Sequence, residues 1–414
     1  MKKRVELLAP VGSFETLHAA LKAGADAFYF GVEQLNMRAR SVNAFSVEDI
    51  REIVSIARRN GVKAYLTLNT VMYEHDMQLL HGVLQEAKKQ GVDAVIAADF
   101  AVIRICDELG IPLHVSTQAN VCNVEAVKFF AAFSDVIVLA RELTLKQVGQ
   151  ISKEIERQGI TGVSGAPLRL EVFAHGALCM AVSGKCYLSL HQQNASANRG
   201  ACLQNCRRSY TVIDNETNQE LLVNNEYILS AKDLCTIDIL EQVVNCGVDV
   251  IKIEGRTKGA EYVYTTTKCY REALDAIADG SYSMEKVEAW KKELEKVYNR
   301  GFWEGYYMGR KLGEWAEGPG SMATEKKVYI GKGTKYYPRI GVGEFLVETG
   351  TVKVGDTIMV TSPSYGLSRK TMESLVVNGV SANQAGKGDK ITFPIKEKIT
   401  VKDKLYKIIE NTCV

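Results

Sequence analysis

The first 280 residues of this 414-residue chain repeat one phrase: a short apolar run rich in Val, Ile, Tyr and Phe, then an amphipathic helical stretch. The runs are Val5–Leu8, Ala27–Gly31, Lys63–Leu68, Ala94–Ala98, Leu113–Thr117, Val136–Ala140, Leu168–Phe173 and Val248–Ile253. Several follow G-x-D-A or G-V-D, as in GADAFYFG, GVDAVIAAD and GVDVIKIEG. Near-continuous apolar runs mark parallel strands covered on both faces. Helical patterns separate most of them, at Ser46–Asn60, Asp76–Gln90 and Asn123–Phe133. Ser13 and Ser46 stand where an N-cap would, each with an acid two or three residues on. Eight strands alternating with helices predict an α/β fold, a TIM-like (β/α)8 barrel over residues 1–300. An open doubly wound sheet is the alternative. No G-x-G-x-x-G follows the first strand and no G-x-x-x-x-G-K-[ST] occurs, which sets aside dinucleotide and P-loop enzymes.

Such a barrel does its chemistry at the C-terminal ends of its strands. The polar residues assigned there are Glu6, Glu33 with Arg38 and Arg40, Asn69, Asp99, Gln118 with Asn120, Arg141, His175, and Glu254 with Arg256. Arg38, Arg141 and Arg256 suit bidentate clamping of a carboxylate or phosphate, with Arg40 beside them. Asn69, Gln118 and Asn120 suit a neutral polar group. Glu171, His175 and Glu254 are the candidate proton movers. Glu171 falls inside the seventh strand, so a buried acid paired with Lys252 or Arg256 is an equal reading.

Between Phe173 and Val248 lie some 75 residues, where a crossover needs about 30. The excess, about residues 174–247, is an insertion at the catalytic face. It carries Cys179, Cys186, Cys202 and Cys206, within 28 residues and spaced C-x6-C-x15-C-x3-C, with Gly176, Gly184 and Gly200 around them. Thiolates this close in sequence can converge on one soft metal centre, and the spacing is neither that of a zinc ribbon nor the tight ferredoxin run. Two plainer readings exist: free cysteines serving as small buried hydrophobes, and disulfides. The start, MKKRVELLAP, has no apolar core or cleavage site of a signal peptide, and no run of 18 apolar residues occurs. The expectation is a cytoplasmic chain without a membrane partner, in which thiols stay reduced.

At these residues the chain resembles the U32 "peptidase" family. Glu171 to Ser189, EVFAHGALCMAVSGKCYLS, satisfies every defined position of E-x-F-x-x-G-[SA]-[LIVM]-C-x4-G-x-C-x-[LIVM]-S. ELLAPVGSFETLHAALKAGADAFYFG, VIKIEGR, NRGACLQNCR and LSAKDLCTIDIL are similar to the same family, so the likeness spans essentially the whole chain. The branch it resembles most closely is that of tRNA hydroxylation. The resemblance implies an RNA-modifying hydroxylase that works without molecular oxygen and forms 5-hydroxyuridine at the wobble position. It implies a 4Fe–4S cluster on Cys179, Cys186, Cys202 and Cys206, with Cys235 as an alternative ligand. It also implies tRNA as partner and prephenate as an anionic hydroxyl donor; such an anion needs cationic clamps, for which Arg199 beside the cysteines joins Arg38, Arg141 and Arg256. Two alternatives accompany it. One is the collagenase-like peptidase of the family's label, for which neither H-E-x-x-H nor G-x-S-x-G is present. The other is a cluster-bearing subunit that works with a second U32-type protein.

Gly301–Gly320 (GFWEGYYMGRKLGEWAEGPG) opens a connector over residues 301–324, rich in Gly and aromatics. Beyond it, residues 325–414 turn to short apolar runs broken by NG, GD and SP, which predicts a small all-β barrel. From Ser321 onward, 15 Lys and Arg face 9 Asp and Glu in a chain whose net charge is +2, so the module is basic on a slightly acidic body. Lys326, Lys327, Lys335, Arg339, Arg369 and Lys370, interleaved with Tyr336 and Tyr337, suit an RNA backbone. A packing or dimerisation module is the plainer reading.

Overall fold

In the computed structural model, residues 4–38, 45–207, 210–213, 215–217, 220–223, 230–309, 314–316 and 320–411 are described. Strands β1 (Glu6–Pro10), β2 (Ala27–Phe30), β3 (Lys63–Thr67), β4 (Ala94–Ala97), β5 (Leu113–Val115), β6 (Val136–Val138) and β7 (Arg169–Gly176) pair parallel in sequence order. The chain then forms a hairpin, β8 (Tyr210–Ile213) with β9 (Glu220–Val223), and a short β10 (Asp233–Cys235) antiparallel to the end of β7. Strand β11 (Val250–Ile253) closes the ring, with Val250 opposite Glu171 on one side and Glu6 on the other. All eight predicted strands are present, and the closed ring is the TIM-like barrel.

Apolar residues at alternate positions fill the interior, among them Leu8, Tyr29, Tyr65, Ile96, Val136 and Val250. A larger core lies between strands and helices. Glu6 departs from expectation. It sits at the start of β1, at the floor of the barrel, where its carboxylate accepts from the Tyr65 hydroxyl at 2.7 Å and pairs with Arg169 at 3.0 Å and Lys63 at 3.2 Å. Ser13 caps helix Phe14–Lys22 in a capping box completed by Thr16. Ser46 does not cap. Its backbone N–H donates to Asp49 Oδ2 at 2.8 Å, and helix Asp49–Arg59 starts three residues later.

The connector is knit into the barrel. Strand β12 (Phe302–Trp303) runs parallel beside β10, and Ala231 bridges Trp315. Trp303 packs with Leu178 and Ala231, and its Nε1 donates to the Lys232 carbonyl at 3.1 Å. These residues therefore brace the cysteine insertion from behind.

The C-terminal module is all-β, as predicted. Its strands are β13 (Glu325–Tyr337), β14 (Val342–Val347), β15 (Thr351–Lys353), β16 (Thr357–Ser362), β17 (Gly366–Thr371), β18 (Val376–Val377), β19 (Val380–Ser381), β20 (Gln384–Gly386), β21 (Lys390–Pro394) and β22 (Lys404–Glu410). Eight of them pair antiparallel in the order β17-β16-β22-β13-β14-β21-β18-β19, and β15 pairs β20. Phe345 stacks on Phe393 at 4.9 Å within a separate core. Strand β17 lies earlier than the sequence suggests: KTMESLVVNG splits between the end of β17 and β18, since GLSRKT shows little of the β-branched enrichment that signals a strand.

Candidate functional site

The mouth of the barrel encloses a cavity of about 190 Å³. Its floor is built by inward positions of the strands: Tyr29 from β2, Ile96 from β4, Val138 from β6, Phe173 from β7 and Lys252 from β11. The strand ends and their loops supply the polar wall, and the insertion after β7 folds over the opening. Gly176, at φ +105°, permits this: a Cβ there would lie 2.4 Å from the Glu254 carbonyl oxygen, so the exits of β7 and β11 touch.

Glu254 organises one wall. Arg38 Nη2 donates to its Oε1 at 2.7 Å, and the Tyr29 hydroxyl donates to Oε2 at 2.9 Å. Burial alone would raise this carboxyl, but the charges of Arg38, Arg256 and Arg141 and the Tyr29 hydroxyl overturn that and hold it at about 2. A group so firmly ionised is a poor proton carrier, so its geometry is that of an anchor. Arg256 is buried and donates to Thr67 Oγ1 at 2.7 Å and Asn36 Oδ1 at 3.1 Å. Burial lowers it to about 10, still charged at neutral pH. Arg141 lies over the Phe173 ring at 4.4 Å, and its Nε has no partner among the described residues. The three arginines therefore line one cavity; Arg40 lies outside the described residues.

Beside them sits an amide pair. Gln118 Nε2 donates to the Asn69 carbonyl at 3.2 Å, and Asn69 Nδ2 reaches Gln118 Oε1 at 3.4 Å. Asn120 stands behind, its Nδ2 donating to the Gln118 carbonyl at 2.9 Å.

Cys179, Cys186, Cys202 and Cys206 all line the same cavity. Burial raises the Cys206 thiol; Arg207 opposes this, and Cys179, Cys202 and Cys186 each add to it, which places the four within electrostatic reach of one another. As a donor set they suit a soft metal centre: four thiols within one inserted segment, with Cys179 and Cys202 exposed. Among the described residues no group of three or more His, Cys, Asp or Glu is already gathered at metal-holding distance. Cys235 lies apart, buried in β10, where burial drives its thiol to about 12 and the Tyr270 hydroxyl points at its Sγ from 3.8 Å.

Several candidates have other occupations. Glu171 is wholly buried and pairs with Lys252 at 2.8 Å, while its Oε2 has no partner among the described residues. His175 is buried among Tyr262, Tyr270 and Phe302, and burial lowers it to about 3, so it is neutral and does not line the cavity. Arg199 is a strut. It pairs with Asp76, donates to the Val71 carbonyl at 2.8 Å and covers the Tyr73 ring at 4.3 Å, tying the insertion to the loop after β3. In the C-terminal module, Lys327 pairs with Glu261 at 2.7 Å, Arg369 with Glu325 at 2.7 Å, and Lys370 donates to the Pro394 carbonyl at 2.8 Å. Lys335 lies over Tyr337 at 4.9 Å, while Lys326 shares an interdomain groove with Lys327 and Arg369. Arg339 sits in the β13–β14 turn, exposed.

Sequence reasoning missed Arg207, Asp233, Lys258 and Arg300, which also line the cavity. Lys258 lay in plain view, two residues past Arg256 in VIKIEGRTKG. Asp233 and Arg300 are 67 residues apart, and no local pattern joins them.

A family model described as Peptidase family U32 matches residues 12–317. A protein of Porphyromonas gingivalis named "Collagenase" is 51% identical over 402 residues, covering 97% of this chain and 97% of its own. The "tRNA hydroxylation protein P1" of Bacillus subtilis is 33% identical over 328 residues, 76% of this chain and 75% of its own. The "23S rRNA 5-hydroxycytidine C2501 synthase" of Escherichia coli is 35% identical over 318 residues, 74% of this chain and 46% of its own.

Proposed function

Because the chain belongs to peptidase family U32, and because its clustered thiols, arginines and amides open on one cavity, we propose that it is an enzyme that hydroxylates RNA. The finer reading is 5-hydroxyuridine at the wobble position of tRNA, with prephenate as donor. Relatives named for tRNA hydroxylation and for 5-hydroxycytidine synthesis support the class of reaction. The observation that carries the reading is the shared cavity. A nucleobase must leave its stack to react, and a barrel mouth is a place to receive it. Asn69 and Gln118 present the amide donors and acceptors that a pyrimidine edge requires. Arg38, held by Glu254, and Arg256, held by Thr67 and Asn36, offer fixed guanidinium forks to a carboxylate donor. Tyr29 and Phe173 beneath them exclude water from the floor. Cys179, Cys186, Cys202 and Cys206 would hold a 4Fe–4S cluster, which supplies one-electron or Lewis-acid chemistry when bound.

The 51% identity to a protein named collagenase keeps a second reading. A cysteine peptidase needs a thiol beside an imidazole. No histidine lines this cavity among the described residues, and the nearest in sequence to Cys179, His175, faces the aromatic core.

The test is iron and acid-labile sulfide on anaerobically purified chain, followed by nucleoside mass spectrometry of tRNA from a strain lacking it. About four irons and a missing hydroxylated uridine, restored by the wild-type chain, support the proposal. Absence of iron with cleavage of gelatin overturns it. Activity from the purified chain alone separates a free-standing enzyme from one that requires a second U32-type subunit.

A further inference from the structure

The cavity contains a second concentration of positive charge beside the arginine clamp. Lys258 follows Arg256 in the turn between β11 and helix Ala260–Asp279, and its Nζ lies 2.9 Å from the centroid of the Tyr298 ring. Arg207 Nη1 donates to Ser230 Oγ at 2.6 Å. Arg300 is buried and ion-paired with Asp233, and its Nε has no partner among the described residues. Three cations and one carboxylate therefore share this part of the wall. Burial, then the charges of Arg300 and Arg207, bring Lys258 down to about 7 against the opposing pull of Asp233 and Glu254. Like charges held this close in a partly dry site are stabilised by an incoming anion.

We propose that Lys258, Arg207 and Arg300 form an oxyanion subsite that takes a backbone phosphate of the RNA beside the nucleotide whose base enters the cavity. The subsite rests on the RNA reading above and extends it. Depth argues for phosphate over a second donor carboxylate. Arg256 is buried, whereas Lys258 and Arg207 are half-buried and Thr257 between the two basic residues is exposed; Arg300, as buried as Arg256, adds its charge from behind these two. An everted nucleotide places its base deep and its phosphate at the rim. An ammonium beside guanidinium forks also matches the tetrahedral oxygens of phosphate.

The probes are sulfate, whose charge is constant from pH 6 to 8.5, a uridine oligonucleotide and malonate, titrated calorimetrically into the full-length chain. Sulfate is expected to bind wild type about tenfold or more tightly at pH 6 than at pH 8.5, because Lys258 must be protonated to hold it. Lys258→Met is expected to lose this binding, and Lys258→Arg to keep it without the pH dependence. The oligonucleotide should displace sulfate and malonate should not. On tRNA, Lys258→Met should raise KM about tenfold with kcat little changed. Sulfate affinity that is unchanged in Lys258→Met, or independent of pH in wild type, overturns the subsite. Displacement by malonate and not by the oligonucleotide assigns it to the donor and overturns the phosphate assignment. A wild-type chain that binds sulfate through Lys258 but leaves tRNA unhydroxylated defeats the proposed function while the anion site stands.

Discussion

Glu254 shows how one residue sets the character of the mouth. Its carboxylate neutralises Arg38 and fixes both Arg38 and Tyr29. Glu254→Gln should therefore destabilise the fold by about 3 kcal/mol, since it leaves buried guanidiniums without a counter-charge; a urea midpoint checks it. The folded value of about 2 lies below the ~4.3 of an unfolded chain, so this contribution is complete above that pH and disappears as pH falls toward 2. Two histidines act in a higher window. His114 and His175 are both held neutral by burial, at about 3. The unfolded chain takes up their protons near ~6.5, so stability is full above that pH. Below it, stability is lost at about 1.4 kcal/mol per pH unit for each. His175→Phe should reduce the slope between pH 6 and pH 4 by that amount in urea titrations. The polar residues of the mouth were legible because strand ends can be counted, but whether each anchors, carries protons or binds depends on partners from distant segments. Glu254 and Arg38 are 216 residues apart.

The insertion is an element with few helices of its own, and its shape comes from what it leans on. Arg199 ties it to Asp76, and Trp303 and Trp315 back it. Arg199→Ala should speed proteolysis within residues 177–207 several-fold and lower global stability by about 1–3 kcal/mol, since it leaves the buried Asp76 carboxylate without its counter-charge. Limited digestion beside a melting curve separates the two effects. Cys202→Ser should strip iron from the anaerobically purified chain, read by metal analysis; full iron retention would remove Cys202 from the proposed ligand set. The cysteine spacing was visible in the sequence. The aromatic brace read as a linker because glycine-rich stretches signal turns regardless of what they pack against.

Across the whole molecule, the two domains meet where β17 lies on helix Phe14–Lys22. Leu367 is buried in the barrel's core, Lys22 Nζ donates to its carbonyl at 2.9 Å, and Lys327 pairs with Glu261 at 2.7 Å. Gly366, at φ +79°, brings backbone to backbone: a Cβ would lie 2.6 Å from the Ala19 nitrogen. Gly366→Ala should weaken docking by about 1–3 kcal/mol and split the calorimetric transition into two. Of the six cations expected to face RNA, Lys327 is engaged across the domain boundary with Glu261, and Arg369 pairs with Glu325 within the C-terminal module. Deleting residues 325–414 should accordingly weaken tRNA binding less than Lys258→Met does, measured by filter binding.

Periodicity alone determined the eight barrel strands, since runs covered on both faces must be apolar throughout whatever their neighbours. Turn signals between short apolar runs marked the β-rich end, and the excess length between the seventh and eighth runs marked the inserted cysteine segment. The pairing of Asp233 with Arg300, the choice of Lys252 over Arg256 as the partner of Glu171, the burial that neutralises His175, and the charge concentrated around Lys258 came only with closure of the ring. Desolvation and Coulomb energy depend on distance in space, and distance in sequence does not encode it.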